Sequence, residues 1–292
     1  MLYDLPLYRP PSEANSLIIQ LTTGCAHNQC QFCTMYKEKG FKIKPLQEVM
    51  AMLDNEKHLY QNSKRVFLAD GDALVLPVEY LLTLLEYIQK EFKQVERVST
   101  YATPQDILRK SATELMHLKS YGLSMAYMGI ESGSDQVLQK MRKGADAADI
   151  IAAGKKMKEA GWILSTTAIS GLGGKEWMTQ HAIETAKVVK AIQPDYFSLL
   201  ALMVEPHSKL HQWVQKGKFH LLSCKEILLE TQLMLENLDQ TATIFRNNHA
   251  SNYFSFNGRL PHEREKILAE IKTVLADDEY IKYIEKSTWR SL

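Results

Sequence analysis

Apolar residues recur along this chain in two alternating rhythms. Leu17-Ile18-Ile19-Gln20-Leu21 is a short, nearly continuous apolar run, the pattern of a buried strand. Residues Leu46 to about Tyr60 follow with helical periodicity, then Val66-Phe67-Leu68-Ala69 as a second strand that ends at Asp70-Gly71-Asp72. Helix Val78–Phe92 repeats Leu81, Leu85, Ile88 and Phe92 on one face. Val98–Tyr101 reads as a strand that runs into the turn Thr103-Pro104, and Met125–Ile130 as the next strand. A helix spans Asp146–Ala160, with Gly161 placed to close it. Strand Ile163–Ile169, helix Thr179–Ile192 and strand Tyr196–Val204 complete the series.

Six strand–helix units at even spacing predict a parallel sheet with helical crossovers. A closed eight-strand barrel needs about 250 residues for its units, whereas this pattern stops near residue 205. The expected organisation is an extended arm over residues 1–14, an α/β core over 15–205, and a mainly helical cap over 206–292, packed as one compact unit with the core. The cap contains one helix, Cys224–Leu238, with Leu228, Thr231, Leu235 and Leu238 on one face, and a strand-like insertion at Thr243–Phe245.

Composition narrows the function classes. The 292 residues are 45% hydrophobic, with 35 basic and 34 acidic side chains, so a sizeable core is possible and no basic stripe marks a nucleic-acid surface. No apolar run reaches the ~18 residues of a membrane span. The start of the chain, MLYDLPLYRPPSE, lacks a basic and then apolar leader, so a cytoplasmic location is expected.

Three of the four cysteines, Cys25, Cys30 and Cys33, lie in the stretch GCAHNQCQFCTMY directly after the first strand. Clustered thiols suit a metal centre better than disulfides in such a chain. Three thiolates are one short of a fully ligated iron–sulfur cubane, and Cys224 lies about 190 residues away. An open coordination position is what a catalytic centre keeps for its substrate. The competing reading is a zinc knuckle with His27 as a fourth ligand.

This loop resembles the cluster loop of radical S-adenosylmethionine enzymes, with four residues rather than the usual three in the first gap. Asp70-Gly71-Asp72 resembles the family's glycine-rich stretch after the second strand, with Asp70 in place of a glycine. Gly129-Ile130-Glu131-Ser132-Gly133-Ser134-Asp135 resembles a segment of the methylthiotransferase and oxygen-independent coproporphyrinogen oxidase branches, and Gly171-Leu172-Gly173-Gly174 resembles the turn after the fifth strand. The order of these pieces along residues 15–205 carries the resemblance.

The resemblance implies an open (β/α)6 partial TIM-like barrel and one oxygen-sensitive [4Fe–4S] cluster on Cys25, Cys30 and Cys33. It implies S-adenosylmethionine held by Phe32 and by Gly171 and Gly173 at adenine, by Gly71 and Asp72 at the amino group, by Glu131 at the ribose, and by Lys143 at the carboxylate, with Arg142 as the alternative. Reductive cleavage of that cofactor to a 5′-deoxyadenosyl radical would then take hydrogen from a small molecule or tetrapyrrole, with a flavodoxin- or ferredoxin-type electron donor. No nucleic acid or membrane partner is expected. Some relatives bind haem and act as carriers, which is the alternative function, and a barrel that has lost its chemistry is a third reading.

One segment lies outside the resemblance. Arg246 to Asn252 packs six polar side chains into seven positions, beside Tyr253, Phe254 and Phe256. Surface turns have this composition too. As a functional loop it would place Arg246 against a substrate carboxylate, Asn252 beside the substrate, and His249 as a hydrogen-bonding or proton-moving group.

Overall fold

A computed structural model describes residues 3–287; the first two residues of the N-terminal arm and the last five of the cap lie outside them. The chain divides into two compact units that interleave in sequence. One comprises residues 1–28, 34–128 and 155–164, and the other 29–33, 129–154 and 165–292. Among the described residues no helix is long and apolar enough to cross a membrane.

The first unit is built on strands β1 (Leu17–Gln20), β2 (Arg65–Ala69), β3 (Arg97–Ala102) and β4 (Leu123–Glu131, which runs on into the second unit). They pair in chain order and in parallel, with Leu17 opposite Val66, Val66 opposite Val98, and Tyr101 opposite Tyr127. Parallel pairing requires a crossover, and helices Leu46–Tyr60 and Val78–Glu91 supply the first two. Leu81, Leu84, Leu85 and Ile88 form the buried stripe of the second of these. Phe67 sits between Tyr101 and Tyr127, with ring centroids 5.0 and 6.0 Å away.

The end of the proline-containing arm is tied to the strands of the first unit. Pro11–Glu13 form a 3₁₀ turn, and the fully buried Glu13 accepts from Arg97 (2.7 Å) and from the Tyr127 hydroxyl (2.5 Å). Burying a carboxylate is costly unless it is paired, and this pairing fixes the segment against β3 and β4.

In the second unit β5 (Ile163–Ser170, its first two residues counted with the first unit) and β6 (Tyr196–Ala201) run parallel, Ser165 opposite Tyr196. Helix Gly174–Ile192 connects them, starting five residues before the expected Thr179. The expected strand after residue 242 exists as β7 (Thr243–Asn247), and it pairs parallel to β6. A further strand, β8 (Phe256–Leu260), returns antiparallel to β7. The C-terminal part is therefore mainly helical, with a two-stranded addition beside β6.

Candidate active site

In parallel α/β folds, ligands bind where loops leave the carboxyl ends of strands. The cysteine loop leaves β1, Asp70-Gly71-Asp72 leaves β2, Glu131 ends β4 and the glycine turn leaves β5. Each unit holds part of this set.

In the first unit the cysteine loop narrows to a neck. The Asn28 side chain donates to the Tyr36 carbonyl at 2.8 Å, and Lys37 Nζ donates to the Asn28 carbonyl at 2.7 Å. Cys25 is half-buried just outside that neck. Asp72 is 2% exposed, and its Oδ1 has no hydrogen-bond partner among the described residues. Burial drives its carboxyl well above the ordinary aspartate range, and Asp106 adds to this as both hydrogen-bond partner and like charge. The Ala26 N–H and Arg109 oppose the shift. Asp106 is held in turn by the Thr103 N–H at 3.2 Å, in the capping box of helix Pro104–Arg109.

In the second unit the loop segment that carries Cys30 and Cys33 is tied by its main chain. The Gln31 N–H donates to the Met141 carbonyl at 2.9 Å, and the Gln31 carbonyl accepts the Leu210 N–H at 3.0 Å. Phe32 packs on an apolar cluster that includes Val137, Met141, Leu172 and Phe219. Among the described residues, no three His, Cys, Asp or Glu side chains gather tightly enough to hold a single metal ion. A cubane asks less of its ligands, because each thiolate binds a different iron.

Glu131 sits at the end of β4 with φ of 59°, in the left-handed region that non-glycine residues seldom adopt. Its Oε1 lies 2.8 Å from Lys143 Nζ, and the two side chains are only 14% and 11% exposed. A Cβ on Gly129 would stand 2.1 Å from Glu131 Oε1, so a side chain there would displace the carboxylate from its present position. Ser132 and Gly133 then lock the turn onto helix Gly174–Ile192. Ser132 Oγ is 2.8 Å from His181 Nδ1, and the Gly133 N–H donates to Thr185 Oγ1 at 2.9 Å.

The glycine turn after β5 rests on an acid that the sequence analysis did not single out. Glu230, fully buried in helix Cys224–Glu236, accepts the Gly171 N–H at 2.7 Å. Gly173 lies against His181 and Trp177 of helix Gly174–Ile192. Burial pushes the Glu230 carboxyl up to about 8, against the pull of the Gly171 N–H and Ser170, and burial pushes His181 down to about 4. The signal for Glu230 was a lone acid in the mainly apolar stretch ILLETQLML. A lone Glu in a helix is ordinarily solvated, so only packing could reveal its role.

These two shifts act in opposite directions, and their pH windows overlap below about 6.5. The folded chain holds the Glu230 proton up to about pH 8, whereas an unfolded glutamate releases it near 4.5, so this group's stabilising contribution falls as pH rises between those values. The loss runs at up to about 1.4 kcal/mol per pH unit. His181 lowers stability as pH falls from 6.5 towards about 4. Glu230→Gln, which resembles the protonated acid, is expected to flatten the decline in unfolding free energy measured by denaturant titration from about pH 6.5 to 8, above the His181 window. A decline of the same slope in the variant would assign it to other groups.

The C-terminal segment is shaped by β6. Arg246 lies on β7, with its guanidinium carbon 4.5 Å from the centre of the Tyr196 ring. The Asn252 amide is engaged by main chain at both ends, accepting the Ala201 N–H at 2.6 Å and donating to the Leu199 carbonyl at 2.9 Å. His249 Nδ1 accepts the Ser251 N–H at 3.2 Å and lies 2.9 Å from Ser251 Oγ, which leaves the ring proton on Nε2. Burial lowers the pKa of this imidazole.

Comparison with known proteins agrees with these features. Residues 19–186 match the Radical SAM superfamily. The haem chaperone HemW of Bacillus subtilis is 25% identical over 205 residues, covering 68% of this chain and 53% of that protein. An uncharacterized protein of Methanocaldococcus jannaschii is 23% identical over 238 residues, covering 78% of this chain and 73% of that one. Among solved structures, Escherichia coli coproporphyrinogen III oxidase (HemN) superposes with a TM-score of 0.57 at 19% identity, over 77% of this chain and 52% of that one. Methylornithine synthase (PylB) gives 0.52 at 16%, over 76% and 62%. The α/β fold is thus that of the TIM-like-barrel radical SAM proteins. The chain spans about half the length of the Bacillus relative and of HemN.

Proposed function

Because the chain belongs to the radical SAM superfamily, whose members in general carry a [4Fe–4S] cluster and S-adenosylmethionine, we propose that it is an enzyme that cleaves this cofactor to initiate radical chemistry on a small organic molecule or tetrapyrrole. The observation that carries the proposal is the mostly enclosed pair Glu131–Lys143, held at a strand end by a left-handed residue. A strained acid beside a cation at the mouth of a parallel fold is expected of a ligand site rather than of a plain turn.

The donor set fits the group. Cys25, Cys30 and Cys33 offer three soft thiolates, which hold a cubane and leave one iron open. The buried Asp72, with an unpartnered oxygen, suits the ammonium of an amino acid. In this reading Asp72 and Gly71 receive the amino group, Lys143 the carboxylate and Glu131 the ribose hydroxyls. Gly171, Gly173 and Phe32 line the adenine. When bound, the cluster would supply the electron for reductive cleavage of S-adenosylmethionine to methionine and a 5′-deoxyadenosyl radical. The protein's own work is to orient the cofactor, to keep water out and to present the substrate. A flavodoxin- or ferredoxin-type protein would deliver the electron.

The test is anaerobic incubation of reconstituted protein with S-adenosylmethionine and dithionite, followed by mass spectrometry for 5′-deoxyadenosine and methionine. Both products should appear in excess over a Cys30→Ala control. Cluster-loaded protein that yields neither would remove the enzymatic reading.

The Bacillus relative favours a second reading, a haem carrier on the same scaffold. Anaerobic haem titration separates the two. Saturable binding with a shifted Soret band, in protein that makes no 5′-deoxyadenosine, would select the carrier.

A further inference from the structure

We propose that Asp70 is a positioning residue that clasps the two ends of the cysteine loop onto the end of β2, an inference that rests on the cluster-binding reading of that loop. The carboxylate is fully buried. Its Oδ2 accepts the Gly24 N–H, the residue directly before Cys25, at 3.2 Å. On the far side of the loop, six residues beyond Cys33, the Lys39 ammonium pairs with the same oxygen at 3.8 Å. Gln20 Nε2 at the end of β1 donates to it at 3.3 Å. Lys39 reaches on to the Asp4 and Pro6 carbonyls at 2.5 and 2.7 Å, which joins the N-terminal segment to the clasp.

Geometry around Gly71 supports this. A Cβ there would lie 2.6 Å from the Tyr36 ring and 3.0 Å from the Gly24 carbonyl oxygen. Only a bare backbone lets both ends of the loop settle on the strand end, beside Asp70. Burial raises the Asp70 pKa, while Tyr36, Lys39, the Gly24 N–H and Gln20 all favour its charged form. A buried carboxylate with this many donors organises whatever carries them, and its removal leaves those donors unsatisfied. Glycine, which the family resemblance places at this position, has no side chain to accept from either end. The clasp is therefore a property of this chain rather than of the motif.

Two measurements test it. The first is hydrogen exchange at the Gly24 amide in cluster-free protein. Asp70→Ala should speed that exchange by about tenfold or more, the scale of one lost charge-assisted hydrogen bond. Asp70→Asn keeps an accepting oxygen and should restore most of the protection. The second is the rate at which a chelator strips iron from reconstituted protein, which should rise in Asp70→Ala and recover in Asp70→Asn. Lys39→Met, which removes the cation paired with Asp70, gives a milder version of both effects should Asp70→Ala fail to fold. Unchanged Gly24 exchange in Asp70→Ala, or an Asn variant no better than Ala, would overturn the clasp. Wild-type protein that takes up no iron, while exchange still responds to Asp70, would instead overturn the cluster reading and leave the clasp standing.

Discussion

Replacing any one of Cys25, Cys30 or Cys33 by Ala is expected to abolish iron retention and all 5′-deoxyadenosine formation. Two remaining thiolates cannot hold a cubane, and the loop carries no fourth cysteine to replace the one lost. All three cysteines are half-buried, as ligands that must reach a cofactor should be. Cys224 is the internal control. It is fully buried at the start of helix Cys224–Glu236, where its N–H donates to Glu285 at 2.9 Å. Cys224→Ala should therefore keep the brown, oxygen-labile absorbance. Iron per chain, measured after anaerobic reconstitution, decides the matter. Equal iron loss in Cys224→Ala would show that the three-cysteine assignment is wrong.

The second large effect is expected at Glu131 and Lys143. Each of Glu131→Ala and Lys143→Ala should weaken S-adenosylmethionine binding by about one to two decades while cluster content stays constant. Charge-assisted hydrogen bonds contribute roughly 1.5–3 kcal/mol, and every 1.4 kcal/mol is about tenfold in affinity. The double variant should lose less than the sum of the two, because the residues touch. Isothermal titration on cluster-loaded protein reads the effect directly. Binding isotherms like the wild type's in both variants would end the assignment of these residues to the cofactor.

Much of the secondary structure was legible because its signals are local. The helix Leu46–Tyr60 falls where its apolar spacing puts it. Strands β2 and β5 start or end within a residue of their apolar runs. Strand β8 escaped notice because only Phe256 and Leu260 of its five residues are buried, so no apolar run announces it. Glu13 was hidden for the opposite reason. Its proline-containing surroundings look extended and solvated, and its partners Arg97 and Tyr127 stand 84 and 114 residues away. The family pieces were readable as motifs, since residue types at fixed spacing carry ligand chemistry whatever surrounds them.

The sequence by itself determined that three soft ligands follow the first strand, that six strand–helix units come in order, and which strand ends bear acids and glycines. Those are facts of residue type and short spacing, and the local periods of 2 and 3.6 residues express them. Tertiary structure alone decided which side chains serve them. Asp70 reaches Gly24 across 46 residues, Glu230 reaches Gly171 across 59, and Ser132 meets His181 across 49. No local pattern encodes such meetings, because they depend on how each crossover returns the chain and on which helix face packs inward. A buried carboxylate is stable only where that packing delivers its donors, so Asp70 and Glu230 acquire their roles once the fold has closed around them.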